Sequence, residues 1–157
     1  MLKLYIPKYE DLLFRQKLIS DPKTMSYNKK WGGTIDFPKE AWRDWFDWWL
    51  VNHENKRFYR YLQETETNGF VGEIAYHYDE ERVVYIADVI VLAEYRRKGY
   101  GKEGLRLLCD AAKENGVKIL YDDIAADNPA IALFLKLGFS EEYRTEDYIM
   151  LKKSLSD

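Results

Sequence analysis

The stretch Val83-Val-Tyr-Ile-Ala-Asp-Val-Ile-Val-Leu-Ala-Glu-Tyr-Arg-Arg-Lys-Gly-Tyr-Gly-Lys102 joins a mostly apolar run to a basic loop that contains two glycines. The run over 83–92 is long and rich in β-branched residues, which is typical of a strand at the centre of a sheet. Apolar residues at helical spacing follow over 101–115, and Gly116 then predicts the helix end. A strand, a basic loop and a helix are therefore predicted in direct succession.

The loop between that strand and helix has the features of a phosphate-binding site. Gly99 and Gly101 free consecutive backbone N–H groups at a helix N-terminus, where the helix dipole favours an anion. Positive side chains in and beside the loop suit a ligand with more than one phosphate group, and they are Arg96, Arg97, Lys98 and Lys102. We therefore expect this loop, including Tyr100, to bind the phosphates of a cofactor.

Upstream of the loop, the spacing of the apolar residues changes from a helical pattern to the alternation that is typical of strands. Helical spacing predicts helices over 9–19 and 39–51, with a loop over 26–37 between them. Alternating runs from Arg57 onward and from Phe70 onward are separated by Asn68-Gly69, which predicts a β-hairpin. A first strand is predicted over 2–6.

Downstream of the loop, a strand over 117–124 and a short helix over 130–137 are predicted, followed by a strand pair over 139–144 and 148–152. The whole pattern indicates an α+β protein, an α/β/α sandwich. Its central sheet is expected to be mixed and mostly antiparallel, with six to seven strands and with helices on both faces. At 157 residues the chain fits a single domain, 1–157.

Composition excludes several classes of protein. No apolar run approaches the ~18 residues of a membrane span, and the N-terminal sequence lacks the pattern of a secretory signal, so a cytoplasmic protein without membrane contact is expected. The formal charge of -3 argues against a nucleic-acid partner and suits a cationic amine. The single cysteine, Cys109, predicts neither a disulfide nor a metal site.

A dinucleotide-binding oxidoreductase is an alternative, because Gly99-Tyr-Gly-Lys-Glu-Gly104 satisfies the G-x-G-x-x-G pattern and Asp122 and Asp123 follow about 20 residues later. In a dinucleotide fold, however, the glycines lie in the tight turn directly after the strand, whereas six residues separate Leu92 from Gly99 here. The 53 residues after Gly104 are also too few for the remaining parallel units. The pattern therefore disfavours this alternative.

Two motifs resemble those of the GNAT acetyltransferase superfamily. The first is Arg96-x-x-Gly99-x-Gly101 after the strand pattern Val89-x-Val91, and the second is Asn128-Pro-Ala-Ile-Ala-Leu-Phe-Leu-Lys-Leu-Gly-Phe139. The similarity covers about residues 70–152, and the first 65 or so match only in element order. The resemblance implies a GNAT-like fold and an N-acetyltransferase. Its acetyl donor would be acetyl-CoA, and its acceptor a primary amine that attacks directly in a ternary complex.

The resemblance also assigns roles around the cofactor. Backbone amides in 97–102 would hold the coenzyme A pyrophosphate, and Val89 and Val91 would pair with the pantetheine arm through their main chains. The helix that begins near Asn128 would line the thioester end, in a gap between splayed strands that end near Val91 and start near Val117. Phe134 stands where the family often has a tyrosine that protonates the departing thiolate, so no general acid is assigned.

A lysine-like amine of pKa ~10.4 is almost fully protonated near neutral pH, so a proton acceptor assists acetyl transfer. Three carboxylates are candidates: Asp123 stands five residues before Asn128, Glu73 lies on a central strand, and Asp88 interrupts an apolar strand. A buried carboxylate needs a partner or an open cavity beside it. The sequence leaves the choice among the three open.

Tryptophans between the first two strands are expected to shape the acceptor pocket. Trp42, Trp45 and Trp49 have the spacing of core residues on one helix face, so Trp31 and Trp48 are the predicted pocket residues. A small amine or a peptide amine remains open as acceptor, and a homodimer is expected from the resemblance. The alternative function is a non-catalytic sensor that binds acyl-CoA with the same fold.

Overall fold

A computed structural model of the chain describes residues 1–156, except for the side chains of Lys30 and Trp31. The predicted pocket residue Trp31 therefore lies outside the described side chains. Within 1–156 one sheet contains seven strands in the order β1-β2-β3-β4-β5-β7-β6. The strands are β1 Leu2–Tyr5, β2 Arg57–Glu64, β3 Phe70–Asp79, β4 Val84–Val91, β5 Ile119–Ala125, β6 Ser140–Arg144 and β7 Tyr148–Ser154. Only β4 and β5 pair in parallel, so the predicted mixed, mostly antiparallel sheet is confirmed.

Helices cover both faces of this sheet, as predicted. They are α1 Leu12–Ser20, α2 Lys39–Phe46, α3 Tyr100–Glu114 and α4 Ile131–Lys136. The predicted helix over 39–51 ends in a π-helical turn, Asp47–Val51, and a 3-10 segment, Thr24–Trp31, overlaps the first part of the predicted loop over 26–37. Gly32 ends that segment with a φ of 105°, a left-handed conformation that glycine adopts without strain. Among the helices of residues 1–156, none combines the length and apolar character needed to cross a bilayer.

The larger part of the core lies between α3 and the sheet. Leu105 and Leu108 of α3 are fully buried against Leu62 of β2 and Ile74 of β3. Burying each such side chain contributes roughly 1.5–3 kcal/mol. The helix approaches closely because Gly104 has no side chain: a Cβ there would lie 2.8 Å from Leu62 Cδ1. This packing fixes the start of α3, and with it the basic loop, against the sheet.

The opposite face of the sheet carries α1, the Thr24–Trp31 segment and α2. Leu12, Leu18 and Ile19 of α1 pack with Met25 and Trp42 in a second buried cluster. Beside it, aromatic residues of β1, β2 and β3 contact one another, Phe14 of α1 and Trp45 of α2, and they are Tyr5, Tyr59, Tyr61 and Phe70. This face therefore has an aromatic lining next to the centre of the sheet.

The central strands β4 and β5 diverge soon after they meet. Their parallel pairing is confined to Tyr85 with Leu120 and Ile86 with Tyr121. Beyond these positions β4 continues to Val91 and β5 to Ala125 without pairing with each other, although each still pairs with its other neighbour. The splayed gap that the family resemblance implies is therefore present in the structure.

Candidate active site

The gap between β4 and β5 opens into a cavity of about 1090 Å³. Its walls come from both faces of the sheet. On the α3 side they include Gly101 and Leu133, and on the α1 side they include Arg15, Trp45 and Trp49. A single cavity thus connects the basic loop with the aromatic lining.

The backbone of the basic loop is open to an anion. Gly99 has a φ of 84° and leads directly into α3, while Arg97 adopts a left-handed φ of 66°. The N–H groups of residues 97–102 have no backbone hydrogen-bond acceptor in the described part of the chain. Consecutive free amides at the N-terminus of a fifteen-residue helix form a concave anion site.

The positively charged side chains of this loop differ in their contacts and in their position relative to the cavity. Arg96 donates hydrogen bonds from Nη1 to the Lys23 carbonyl at 3.3 Å and from Nη2 to the Thr24 carbonyl at 2.6 Å. It therefore ties the loop to the 3-10 segment while it lines the cavity. Lys98 lies outside the lining, with its ammonium 5.8 Å from the centroid of the Tyr95 ring, whereas Arg97 and Lys102 are exposed at the rim.

Tyr100 anchors the first turn of α3. Its hydroxyl donates a 2.8 Å hydrogen bond to Glu64 Oε2, which is also 3.3 Å from the N-terminal ammonium of Met1. The hydrogen bond to Glu64 raises the pKa of Tyr100, and the Glu66 N–H and the Tyr100 hydroxyl lower the pKa of Glu64 to about 2. Tyr100 thus lines the cavity, while its hydroxyl is hydrogen-bonded to Glu64 of β2.

The free edge of β4 presents backbone groups to the cavity. The N–H of Leu92 donates to the Val71 carbonyl of β3 at 2.9 Å. Hydrogen bonds to one neighbouring strand alternate along an antiparallel pair. Since Val89 and Val91 are offset by an odd number of residues from Leu92, their N–H and C=O groups face away from β3, toward the unpaired side. Both residues line the cavity.

The second sequence motif forms the cavity floor on the α3 side. Asn128 Oδ1 accepts a hydrogen bond from the Ala130 N–H at 2.9 Å and so shapes the turn before α4. Phe134 is buried, with its ring centroid 5.0 Å from that of Phe139. Asn128 and Phe134 both line the cavity, and neither carries an ionisable group there.

Glu73 is a buried carboxylate with two partners. The Tyr59 hydroxyl donates a 2.5 Å hydrogen bond to Glu73 Oε1, and Arg15 Nε lies 3.7 Å from the same oxygen. Burial raises the pKa of Glu73, while Arg15 and the Tyr59 hydrogen bond act in the opposite direction. The carboxyl of Glu73 is therefore held in place by neighbouring side chains.

Asp88 differs from Glu73 because no hydrogen bond or ion pair reaches its carboxyl from the described residues. It projects from the middle of β4 into the cavity, on the same face as Glu73. Burial, and then the negative charge of Glu73, raise the pKa of Asp88 to about 7, and Arg15 partly opposes this rise. A carboxyl that titrates near neutral pH suits a proton acceptor.

The third candidate, Asp123, pairs with Arg82. Arg82 Nη1 lies 3.1 Å from Asp123 Oδ2, and Arg82 Nε also binds Asp79 at 2.8 Å. The adjacent Asp122, which the sequence did not single out as a catalytic candidate, lines the cavity too, and burial together with the charge of Asp88 raises its pKa. Asp123 thus shares the guanidinium of Arg82 with Asp79.

The tryptophans are arranged differently from the sequence expectation. Trp48 lies outside the cavity lining and is 54% exposed, with the guanidinium carbon of Arg57 3.5 Å from its ring centroid. Trp45 and Trp49, predicted as packing residues, line the cavity with their ring centroids 6.1 Å apart. Trp45 and Trp49 share a helical face that covers the α1 side of the cavity. Trp42 lies on the same face but is buried in the core.

Two lining residues were not selected from the sequence. Tyr27 comes from the 3-10 segment that the sequence predicted as loop, and its pKa is raised, mainly by burial and then by the charge of Asp88. Arg15 lies in the predicted first helix, where Lys17 is a second cation. Neither belongs to a motif, so only the tertiary contacts identify them. Within the described residues no cluster of three acidic, histidine or cysteine side chains could hold a metal ion.

Comparison with known proteins connects this geometry to a family. Residues 18–139 match the family model of the acetyltransferase (GNAT) family. A curated relative, described as an uncharacterized N-acetyltransferase YobR of Bacillus subtilis (strain 168), is 34% identical over 56 residues. That match covers 35% of this chain and spans 23% of the relative's length.

Solved structures share the fold over nearly the whole chain. An N-acetyltransferase from Staphylococcus aureus Mu50 is 20% identical with a TM-score of 0.77, and the match covers 99% of both chains. A spermidine N-acetyltransferase from Vibrio cholerae, solved with CoA and spermine, is 18% identical with a TM-score of 0.77. It covers 98% of this chain and 95% of that one.

Proposed function

Since the chain belongs to the GNAT family of acetyltransferases, we propose that it transfers an acetyl group from acetyl-CoA to a primary amine in a ternary complex. The observation that carries this proposal is the single cavity that joins an open anion site to an unpaired carboxylate. The V. cholerae neighbour, solved with CoA, supports the choice of donor. One end of the cavity suits a pyrophosphate and the other a cation.

The residues present fit acetyl-CoA. The free N–H groups of 97–102 would hold the pyrophosphate, with Arg97 and Lys102 adding positive charge at the rim. The backbone groups of Val89 and Val91 that face the gap would pair with the amides of the pantetheine arm, and the same edge offers an N–H to the thioester oxygen. Bound acetyl-CoA supplies the activated acetyl group.

Asp88 is the proposed general base. Its carboxylate takes a proton from the ammonium form of the acceptor, and the neutral amine nitrogen then attacks the acetyl carbon. Glu73 is less suited because Tyr59 and Arg15 already contact it, and Asp123 is less suited because Arg82 already pairs with it. A pKa of about 7 leaves a substantial fraction of Asp88 ionised at neutral pH.

No ionisable side chain is required for the departing thiolate. Phe134 cannot donate a proton, and a thiol of pKa ~8.5 is a tolerable leaving group near neutral pH. Tyr27 lines the same cavity, and burial raises its pKa, so its hydroxyl keeps its proton and remains a hydrogen-bond donor.

A non-catalytic acyl-CoA sensor is the second candidate, favoured by Phe134 at the position where the family often has a tyrosine. A sensor would bind acyl-CoA in the same cavity, so a binding measurement alone does not distinguish it from an enzyme.

Small-molecule amines are the proposed acceptors, while peptide amines, a homodimer and a cytoplasmic location stay predictions.

The test begins with thermal shifts of wild type and Gly99→Trp in the presence of acetyl-CoA, CoA or NAD. A shift with the two CoA compounds only, abolished by the substitution, is expected. Release of free CoA thiol against a panel of amines then separates enzyme from sensor. A shift with NAD alone, or none with any of the three, would contradict the proposal, and binding without turnover across the panel would favour the sensor.

A further inference from the structure

Arg15 brings a guanidinium into the acceptor end of the cavity. It lies on α1, and its guanidinium carbon is 4.6 Å from the ring centroid of Phe37 and 4.4 Å from that of Trp45. The guanidinium carbon lies over the faces of both rings, and rings accept no hydrogen bond of the strength that a carboxylate does, so the N–H donors of Arg15 remain able to bind a ligand. The aromatic rings thus hold Arg15 with its donors available.

These donors lack acceptors. Arg15 Nε is buried without a hydrogen-bond partner, and no side-chain hydrogen bond from Arg15 to any other described residue is present. The nearest carboxylate oxygen, Glu73 Oε1, is 3.7 Å away and already accepts a 2.5 Å hydrogen bond from Tyr59. At 3.7 Å the contact is an ion pair and not a hydrogen bond. A buried N–H without an acceptor, such as that of Arg15 Nε, is unfavourable, and an anionic ligand beside the guanidinium would offset that cost.

Arg15 and Asp88 lie on the same face of the sheet. Glu73, beside Arg15, pairs directly with Ile90, and Asp88 is two residues from Ile90 on β4. Such diagonal neighbours are roughly 7–8 Å apart. That separation is the one between Glu73 and Asp88, and Arg15 Nε lies 3.7 Å from Glu73 in the same cavity, so a small molecule that carries both a cation and an anion can contact Asp88 and Arg15 together.

We propose that the acceptor is an amino acid or another small amine that bears a carboxylate, and that Arg15 binds this carboxylate while Asp88 receives the amine. The inference rests on the proposed acetyl transfer and adds the acceptor class. The planar guanidinium matches a carboxylate in two parallel hydrogen bonds. A polyamine, in contrast, would bring a second cation toward Arg15, and that repulsion disfavours it.

The test compares amino acids with the amines that lack only the carboxylate, using thiol release: phenylalanine with phenethylamine, and 4-aminobutyrate with butylamine. Spermidine serves as an acceptor without an anion. In wild type we expect kcat/KM to be about 10- to 100-fold higher for the carboxylate member of at least one pair. Arg15→Met should bring that ratio close to one by raising KM for the amino acid more than KM for the plain amine. Arg15→Lys should restore part of the ratio.

Arg43→Met is the matched control. Arg43 also stacks on an aromatic ring, 4.8 Å from the Tyr9 centroid, but it lies outside the cavity lining. This substitution should leave the ratio unchanged. A wild-type preference for plain amines or spermidine would overturn the inference. Equal losses for both members of a pair in Arg15→Met would also overturn it, because they would assign Arg15 a purely structural role.

The inference can fail separately from the proposed function. If thiol is released with plain amines only, acetyl transfer stands and the carboxylate site is refuted. If no acceptor is turned over, titration of each pair into the CoA-saturated protein still tests the site. Tighter binding of the carboxylate member, lost in Arg15→Met, would support the site, and equal binding would overturn it.

Discussion

Asp88 and Glu73 project from neighbouring strands onto one face of the sheet, and they differ in what holds them. Glu73 accepts a 2.5 Å hydrogen bond from Tyr59 and lies 3.7 Å from Arg15 Nε, whereas Asp88 has no such contact within the described chain. Their mutual repulsion raises the pKa of Asp88 beyond the effect of burial alone. The pair thus combines one fixed carboxyl with one that can exchange a proton.

The first prediction concerns the pH dependence of catalysis. In wild type, kcat/KM should fall below a pH of about 7 as Asp88 becomes protonated. Asp88→Asn should lower kcat by about 10²- to 10⁴-fold, the usual contribution of a general base, and should remove this acidic limb. The measurement is thiol release from pH 5.5 to 9 at saturating acetyl-CoA.

Asp123→Asn is the control, because Arg82 already pairs with that carboxylate. It should keep the acidic limb and most of the activity. If Asp123→Asn lost the limb while Asp88→Asn retained it, Asp123 would be the base.

The second prediction concerns stability. The pKa of Asp88 is raised on folding from an ordinary value of 3.8, so the folded state binds its proton more tightly than the unfolded state does. The stabilising contribution of the protonated carboxyl is therefore fully present below about pH 3.8 and is lost as the pH rises through about 7. Asp88→Asn removes this loss, so it should raise Tm relative to wild type at pH 8.5 more than at pH 5. A Tm difference between the two proteins that does not change with pH would contradict this account.

The third prediction concerns the glycine before α3. Gly99 has a φ of 84°, and no atom lies within 4 Å of the position that an added Cβ would take, so Gly99→Ala meets backbone strain but no collision. That strain costs about 1–2 kcal/mol. Gly116, at the other end of α3, has a φ of 88° and the same open space. Both alanine variants should lose similar stability in urea titrations.

Only Gly99→Ala should weaken CoA binding in calorimetric titration, because only that glycine shapes the free amides of 97–102. Equal CoA affinities in the two variants would show that the left-handed turn at Gly99 is not needed for the anion site.

The fourth prediction separates two neighbouring tryptophans. Trp49 lines the cavity, and Trp48 lies outside it against Arg57. Trp49→Leu should raise KM for the amine about 3- to 30-fold, since an aromatic face next to a cation contributes attraction that leucine cannot supply. Trp48→Leu should leave KM unchanged. If KM responded to Trp48 and not to Trp49, the acceptor would enter from outside the described cavity.

The strand-loop-helix unit around Gly99 could be predicted from sequence because its signals are local. Alternating apolar residues, glycines at a helix start and a helix-ending Gly116 depend on backbone conformation and on burial of one face, and both leave periodic patterns. The same holds for the turn at Asn128, where Pro129 and the asparagine side chain act on adjacent residues. The sequence therefore determined the order of the elements, the class of the sheet and the position of the glycine-containing basic loop.

Only the tertiary structure decided how the acceptor end is built. Arg15, Tyr27 and Trp49 come from three different segments, and they line the same cavity as Asp88 because these segments pack on one face of the sheet. Spacing along one helix identifies a face but does not show whether that face meets the core or a cavity. For this reason the sequence predicts Trp48 as a pocket residue, whereas Trp45 and Trp49 line the cavity. The choice among Asp88, Glu73 and Asp123 likewise depends on contacts with Arg82, Tyr59 and Arg15. Those contacts are long-range, and no local pattern encodes them.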